Sequence, residues 1–307
     1  MTSPATIRLR PHHAHGFTLV ELLVSLAVAL ILLTLVASMV SVAANMTTTI
    51  HNRLFAFHDA NLALDYLAQD LGAIAPPSQS STTGSVQNQT TLTIYPDTVN
   101  GVSTWWIMCL SRPRGTTTPG AVAAVSYRMA YQDPNQSTTG STKSFALYRS
   151  VITTVGSSPS FFYQPDLYLG YWQTEWTTYA PSNIVPVDDY LLGNVVGITI
   201  KLNYRYYTSS TDTTGTVVSV PLTSLPNHQV NLTNAGFVVA NISGADIPQA
   251  QMPNVPLSVD MVFTILRAHG AALYQAQAGP WSALSYAISH DSISISRNFP
   301  ILNGPVD

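Results

Sequence analysis

The feature that most constrains this chain is an apolar run near its amino terminus. Residues Leu22–Ala44 contain no charged residue, no Pro and no Gly. At 1.5 Å of rise per residue the run makes about 34 Å of helix, enough to cross the roughly 30 Å hydrocarbon core of a bilayer. Such a stretch has no place on the wetted surface of a globular domain, so the sequence reads as one membrane-spanning helix with a large second part behind it. Ahead of the run, Met1 to Gly16 carry Arg8, Arg10, His12, His13 and His15 and no acid. The positive-inside bias keeps those residues cytoplasmic and sends the C-terminal bulk to the far side. The Ala-Ala-Asn-Met sequence at the end of the run is a poor secretory cleavage site, because plausible helix continues through it.

Composition removes several function classes. Charged residues make up 9% of the 307 residues against 46% hydrophobic ones, whereas ordinary soluble chains carry about a quarter charged. Twelve Lys plus Arg face 15 Asp plus Glu, a formal net charge of -3, so the basic field that nucleic acid requires is missing and no nucleic-acid partner is expected. Cys109 is the single cysteine; it permits neither an internal disulfide nor a thiolate zinc site by itself.

The membrane edge of the run poses an electrostatic problem. Glu21 directly precedes Leu22, and a carboxylate at the rim of a spanning helix costs several kcal/mol, roughly, unless it is paired. No Lys or Arg follows until Arg53, too many turns away to help within one helix. A new amino terminus would serve. Cleavage after Gly16 would expose the α-amine of Phe17, protonated at neutral pH with a reference pKa of about 7.7 to 8.0, and that amine on one subunit could pair with Glu21 on another.

The string Gly16-Phe17-Thr18-Leu19-Val20-Glu21, behind a short basic leader and ahead of an uncharged run, resembles the class III signal of the type IV pilin superfamily. The resemblance implies that a prepilin peptidase cuts after Gly16 and methylates the amine of Phe17, and that Glu21 guides subunit docking. It implies as partners the peptidase, other minor and major pilins or pseudopilins, an inner-membrane assembly platform and membrane lipid. The expected location is the inner membrane, single-pass, with the head in the periplasm or outside, and then a pilus or pseudopilus. Without Arg8 and Arg10, 10 basic residues remain against 15 acids, a mature side-chain charge of -5. Leu30 and Ser38 stand where major pilins carry helix breakers, and the single cysteine cannot close their C-terminal disulfide loop. A minor subunit is therefore expected.

The helix continues beyond the bilayer. From Phe17 to Ala75 there is no Pro and one Gly, Gly72, and Ile50, Leu54, Phe57, Leu64, Leu67 and Leu71 recur at helical spacing. That stripe is expected to pack on a head, with Asn52, Asp59, Asp65, Gln69 and Asp70 largely between its positions. Pro76-Pro77 ends the helix. Ser78 to Gln89 reads as a polar linker, and period-two alternation takes over. Leu92 and Ile94, Val102–Leu110, Ala121–Tyr131, Ser144–Ile152, Val196–Tyr206 and Leu257–Ile265 read as strands with one buried face each; Thr216–Val220, Gly236–Ile242 and Asp291–Phe299 are shorter ones. The expected fold class is α+β: a long N-terminal helix packed on a β-rich head. The expected divisions are a leader over 1–16, an assembly helix over 17–75 and a head over 76–307. The strand order, with Val125 to Met129, Leu147 to Arg149 and Val195 to Tyr204 as its marks, is similar to that of J-type pseudopilins of type II secretion and W-type minor pilins.

No enzyme is expected. His51, His58, His228, His269 and His290 show no metal-ligand spacing, and no nucleophile elbow, phosphate loop or dinucleotide fingerprint occurs. No cofactor or metal is expected. Asp188-Asp189 and His290-Asp291 read as turn formers before strands, and Cys109 as a buried, inert thiol. An aromatic stretch from Phe161 to Tyr179 reads first as part of the core and second as a subunit contact. The expected role is assembly or priming of a pilus-like filament. The alternatives are a type II secretion tip subunit that contacts cargo, and an adhesin or sugar-binding head.

Overall fold

A computed structural model describes residues 18–74, 79–82, 85–88, 90–112, 122–133, 143–153, 190–206, 214–224, 228–233, 236–241, 254–267, 270–272, 274 and 281–301. Two compact units divide the chain, Met1–Asn52 and Arg53–Asp307. Helix α1 (Leu19–Gly72) begins in the first and ends in the second.

The second unit is built from antiparallel strands, as the alternation predicts. In chain order they are β1 (Gln79–Thr82), β2 (Ser85–Asn88), β3 (Leu92–Val99), β4 (Val102–Ser111), β5 (Ala123–Gln132), β6 (Ser144–Thr153), β7 (Tyr190–Gly193), β8 (Val195–Tyr206), β9 (Thr216–Pro221), β10 (His228–Thr233), β11 (Gly236–Asn241), β12 (Asn254–Leu266) and β13 (Ser292–Pro300), with helix α2 (Trp281–Asp291) before the last. One sheet has the order β11-β10-β3-β4-β5-β6-β7, the other β13-β12-β8-β9, and β1 pairs with β2 as a separate hairpin. The arrangement is α+β, with a long helix followed by a head of two antiparallel sheets. Strands β3 and β4 join through Asn100-Gly101, at φ 46° and 80°, the pair of left-handed residues that a two-residue type I′ turn requires. Asn100 also donates from Nδ2 to the Tyr274 hydroxyl at 3.0 Å.

In the four-stranded sheet, period two sorts the side chains. Ile198, Ile200 and Leu202 of β8, Val259, Met261 and Phe263 of β12, and Ile295 and Phe299 of β13 join the core, while the residues between them are more exposed and largely polar. The seven-stranded sheet departs from the expected single buried face. In β4 and β5, Ile107, Cys109, Val125 and Tyr127 are buried, and so are Trp106, Met108, Ala124 and Ser126 between them. The run Trp105-Trp106-Ile107-Met108-Cys109 carries no polar alternation, and a continuous apolar run is what a strand covered on both sides requires.

The lower part of α1 packs through a narrower stripe than its spacing predicts. Ala60, Ala63, Leu64, Leu67 and Leu71 are in the core, whereas Ile50, Leu54 and Phe57 are exposed. Burying each of the three leucines stabilises the unit by about 1.5–3 kcal/mol, and the small Ala60 and Ala63 let the backbone come close. Asp70 also corrects the expectation, for it is 1% exposed. Its Oδ2 accepts from the Tyr127 hydroxyl at 2.5 Å and Arg149 Nε at 2.8 Å, and its Oδ1 from an Arg149 terminal nitrogen at 3.1 Å. Arg149 lies over the Tyr66 ring at 5.6 Å. The helix end is tied further by Ser111 Oγ donating to the Asp70 carbonyl, Arg112 N donating to the Ala73 carbonyl, and a bridge between Ile74 and Ser111. Burial, and then the charge of Asp70, push the Tyr127 hydroxyl well above the ordinary tyrosine value. Arg297 of β13 adds an exposed ion pair to Asp65.

Candidate functional site

The start of α1 is the site that the sequence singles out. Gly16 and Phe17 lie outside the described residues; the description begins at Thr18, the N-cap. Glu21 N donates to Thr18 Oγ1 at 3.3 Å, Thr18 N donates to Glu21 Oε2 at 2.9 Å, and Thr18 Oγ1 donates to the same oxygen at 3.0 Å. This is a capping box: the first turn of a helix leaves its N–H groups without partners, and a Thr with a Glu three residues on satisfies two of them reciprocally. Leu22 N reaches the Thr18 carbonyl at 3.2 Å and opens the helical ladder.

Glu21 therefore has a neighbour that charge reasoning missed. Among the described residues it forms no ion pair, in keeping with the absence of a nearby Lys or Arg, but its carboxylate is already oriented by Thr18. The signal was present in the sequence as Thr18-x-x-Glu21 ahead of an apolar run. Both bonds fall on Oε2, and Oε1 has no hydrogen bond to a described residue. An acid in the first turn also sits at the positive end of the helix dipole.

Behind the cap, every large apolar residue from Leu19 to Ile50 is exposed within this chain. Six of its hydroxyls donate back to the helix. Ser25, Thr34 and Ser38 donate to the carbonyls of Leu22, Ile31 and Leu35, and Thr47, Thr48 and Thr49 to those of Ala43, Ala44 and Asn45. In hydrocarbon polar groups have to be satisfied internally, and these return bonds do that for the six hydroxyls that make them. Among the described residues this is the one helix long and apolar enough to cross a membrane.

The other candidates do not assemble into a site. No group of three or more His, Cys, Asp or Glu able to hold a metal occurs among the described residues. Cys109 is fully buried, and burial first, then Asp70, raise its thiol above the ordinary value. His290-Asp291 closes α2 directly before β13. Asp188-Asp189, His269 and the aromatic stretch from Phe161 to Tyr179 lie outside the described residues.

Comparison with known proteins bears on the same end of the chain. Residues 11–37 match the family model described as the prokaryotic N-terminal methylation motif. No curated protein and no solved structure matches the chain. The match covers the end of the leader from Pro11, the Gly16-Phe17 junction, Glu21 and the apolar run as far as Ala37, so the amino terminus carries a prokaryotic prepilin-type signal ahead of a helix able to span a membrane.

Proposed function

We propose that the chain is a minor pilin or pseudopilin, a structural subunit that is cut after Gly16 and methylated on Phe17 by a prepilin peptidase and then joins or primes a type IV pilus-like filament. Residues 1–16 are the leader, 17–75 the membrane and assembly helix, and 76–307 the extracytoplasmic head. The observation that carries this reading is Glu21, an acid set in the first turn of a helix whose next 23 residues are uncharged, inside the matched methylation motif and with one carboxylate oxygen outside the capping bonds. In the assembled state that oxygen meets the methylated Phe17 amine of a neighbour, and residues 22–44 pack with the apolar helices of other subunits as they leave the bilayer. The type II secretion tip is the narrower alternative within this class.

The capping box supplies a sharp test. Glu21→Ala removes both the charge and the cap, whereas Glu21→Gln keeps the cap, because Gln serves at that position as Glu does. Both variants should be cleaved normally. If charge pairing drives docking, Glu21→Gln should enter filaments less well by on the order of tenfold, the equivalent of one charge-assisted bond. Incorporation of Glu21→Gln at the wild-type level would sink the charge-pairing mechanism. The amino-terminal mass of membrane-recovered protein, with and without the peptidase, tests the processing step. A peptidase-dependent start at N-methylated Phe17 supports it, and an intact Met1 overturns it.

A further inference from the structure

The outer face of the four-stranded sheet carries a groove of about 380 Å³, at the small end of the range for small-molecule sites. It lies wholly within the second unit and has no part in the filament reading. Where the inward side chains of β8, β12 and β13 are mainly Ile, Leu, Val, Met and Phe, with Arg297 among them on β13, the outward ones form two cross-strand ranks. Lys201, Asp260 and Asn298 stand in register, and so do Thr199, Val262 and Ser296; Arg297, which is paired with Asp65, also lines the groove.

The carboxylate of Asp260 is fixed in an unusual way for a residue placed directly across from a lysine. Its Oδ2 accepts from Asn203 Nδ2 at 2.9 Å and its Oδ1 from Asn298 Nδ2 at 2.5 Å, and both amides also donate to Ser258 Oγ, at 3.0 and 2.8 Å. Amides from the two flanking strands thus hold the carboxylate, while Lys201, its partner in register, forms no ion pair with it. The remaining lone pairs of Asp260, the Lys201 ammonium and the hydroxyls of Thr199 and Ser296 are left to face the groove from rigid strands.

That set of groups selects its ligand by exclusion. Arg297 is already paired with Asp65, so an anion drawn to Lys201 meets Asp260, and a cation drawn to Asp260 meets Lys201. A purely apolar ligand finds only Val262 and would strip water from the polar groups around it. A polyhydroxylated neutral molecule answers all of them, since each hydroxyl both donates and accepts: it gives protons to the held carboxylate, takes one from the ammonium, and lays a C–H face on Val262. We propose that this groove is a saccharide-binding site, with Asp260 as the fixed acceptor and Lys201, Thr199 and Ser296 as the groups that choose among hydroxyl patterns.

The test uses the full chain in a detergent without a sugar headgroup, probed by saturation-transfer NMR and calorimetry with glucose, galactose, N-acetylglucosamine and their β-linked disaccharides. At least one should bind with a Kd on the order of 1 mM or tighter. Lys201→Met and Ser296→Ala, both at exposed positions, should leave the circular dichroism unchanged and weaken that binding by several-fold each, and Asp260→Asn by about tenfold. If Asp260→Asn shifts the thermal melt, the two exposed variants decide the matter. Absence of binding by every saccharide overturns the proposal, as does binding that the variants at Lys201 and Ser296 leave untouched, or binding of inorganic phosphate or glycine at the same site with equal strength. None of these outcomes touches processing after Gly16 or incorporation through Glu21, so the groove and the filament reading stand or fall separately.

Discussion

Asp70 shows how a residue can be read correctly as polar and still be misplaced. Helical spacing puts it among the solvent-facing positions of α1, yet it is buried against Arg149 and Tyr127. Arg149 lies 79 positions along the chain, and no local pattern announces a partner so distant. Breaking a buried ion pair from one side strands a charge, so Arg149→Met or Asp70→Ala should each destabilise the head by about 3–5 kcal/mol in denaturant unfolding. The pair Asp70→Leu with Arg149→Met should recover much of that loss, because no uncompensated charge remains. A cost below about 1 kcal/mol for both single changes would mean that the clamp is not holding the helix. Tyr127 gives the clamp a pH dependence. Its folded-state pKa is raised, so its contribution is complete below the unfolded value of about 10 and is lost as pH rises through the folded one. Tyr148 and Tyr274, both buried, and the more exposed Tyr190 are shifted the same way. Stability should therefore fall above about pH 10, and Tyr127→Phe should flatten part of that slope by up to about 1.4 kcal/mol per pH unit. A Phe variant with the wild-type slope would assign the effect to the other tyrosines.

Among the elements, those whose patterns are strong were legible and those resting on backbone pairing were not. Alternating β-branched and aromatic residues mark β8 and β12, and the uncharged run marks the first half of α1. Strands β1 and β2, Gln-Ser-Ser-Thr and Ser-Val-Gln-Asn, have no apolar period and read as linker; they exist through pairing with each other. Strand β10 offers only Val230 and Leu232, too little to be noticed before its register with β3 is known. Helix α2 was missed because it runs straight into β13 without a Gly or Pro between them. At the start of α1, Thr18 was legible as a cap and was passed over in favour of charge. Thr18→Val should cost the helix start about 1 kcal/mol, visible in micelles as faster amide exchange over Leu19–Leu22, whereas Glu21→Gln should leave that exchange nearly unchanged. Equal fraying in the two variants would show that the charge, and not the reciprocal hydrogen bonds, holds the first turn.

At the level of the whole molecule, two solvents are implied by one chain. The first unit exposes apolar side chains without interruption, while the second has a packed core shared by the lower part of α1 and both sheets. The full chain should remain in the membrane pellet after alkaline carbonate washing, and a chain starting at Arg53 should move to the soluble fraction with the β-rich circular dichroism of the head. Aggregation of that shortened chain would show that the first unit is needed for the second to fold.

Cys109 is the chain's single cysteine, and it sits fully buried in β4 beside the Asp70 clamp with its thiol raised by burial. A sulfur that is neither reachable nor ionised cannot be alkylated while the sheet is closed. Its labelling rate therefore clocks the opening of the head, with no added tag and no second thiol to confuse the signal. Because the clock runs on chemistry and not on optics, it can be read in turbid membranes or in polymerised material, where a melting curve cannot be recorded.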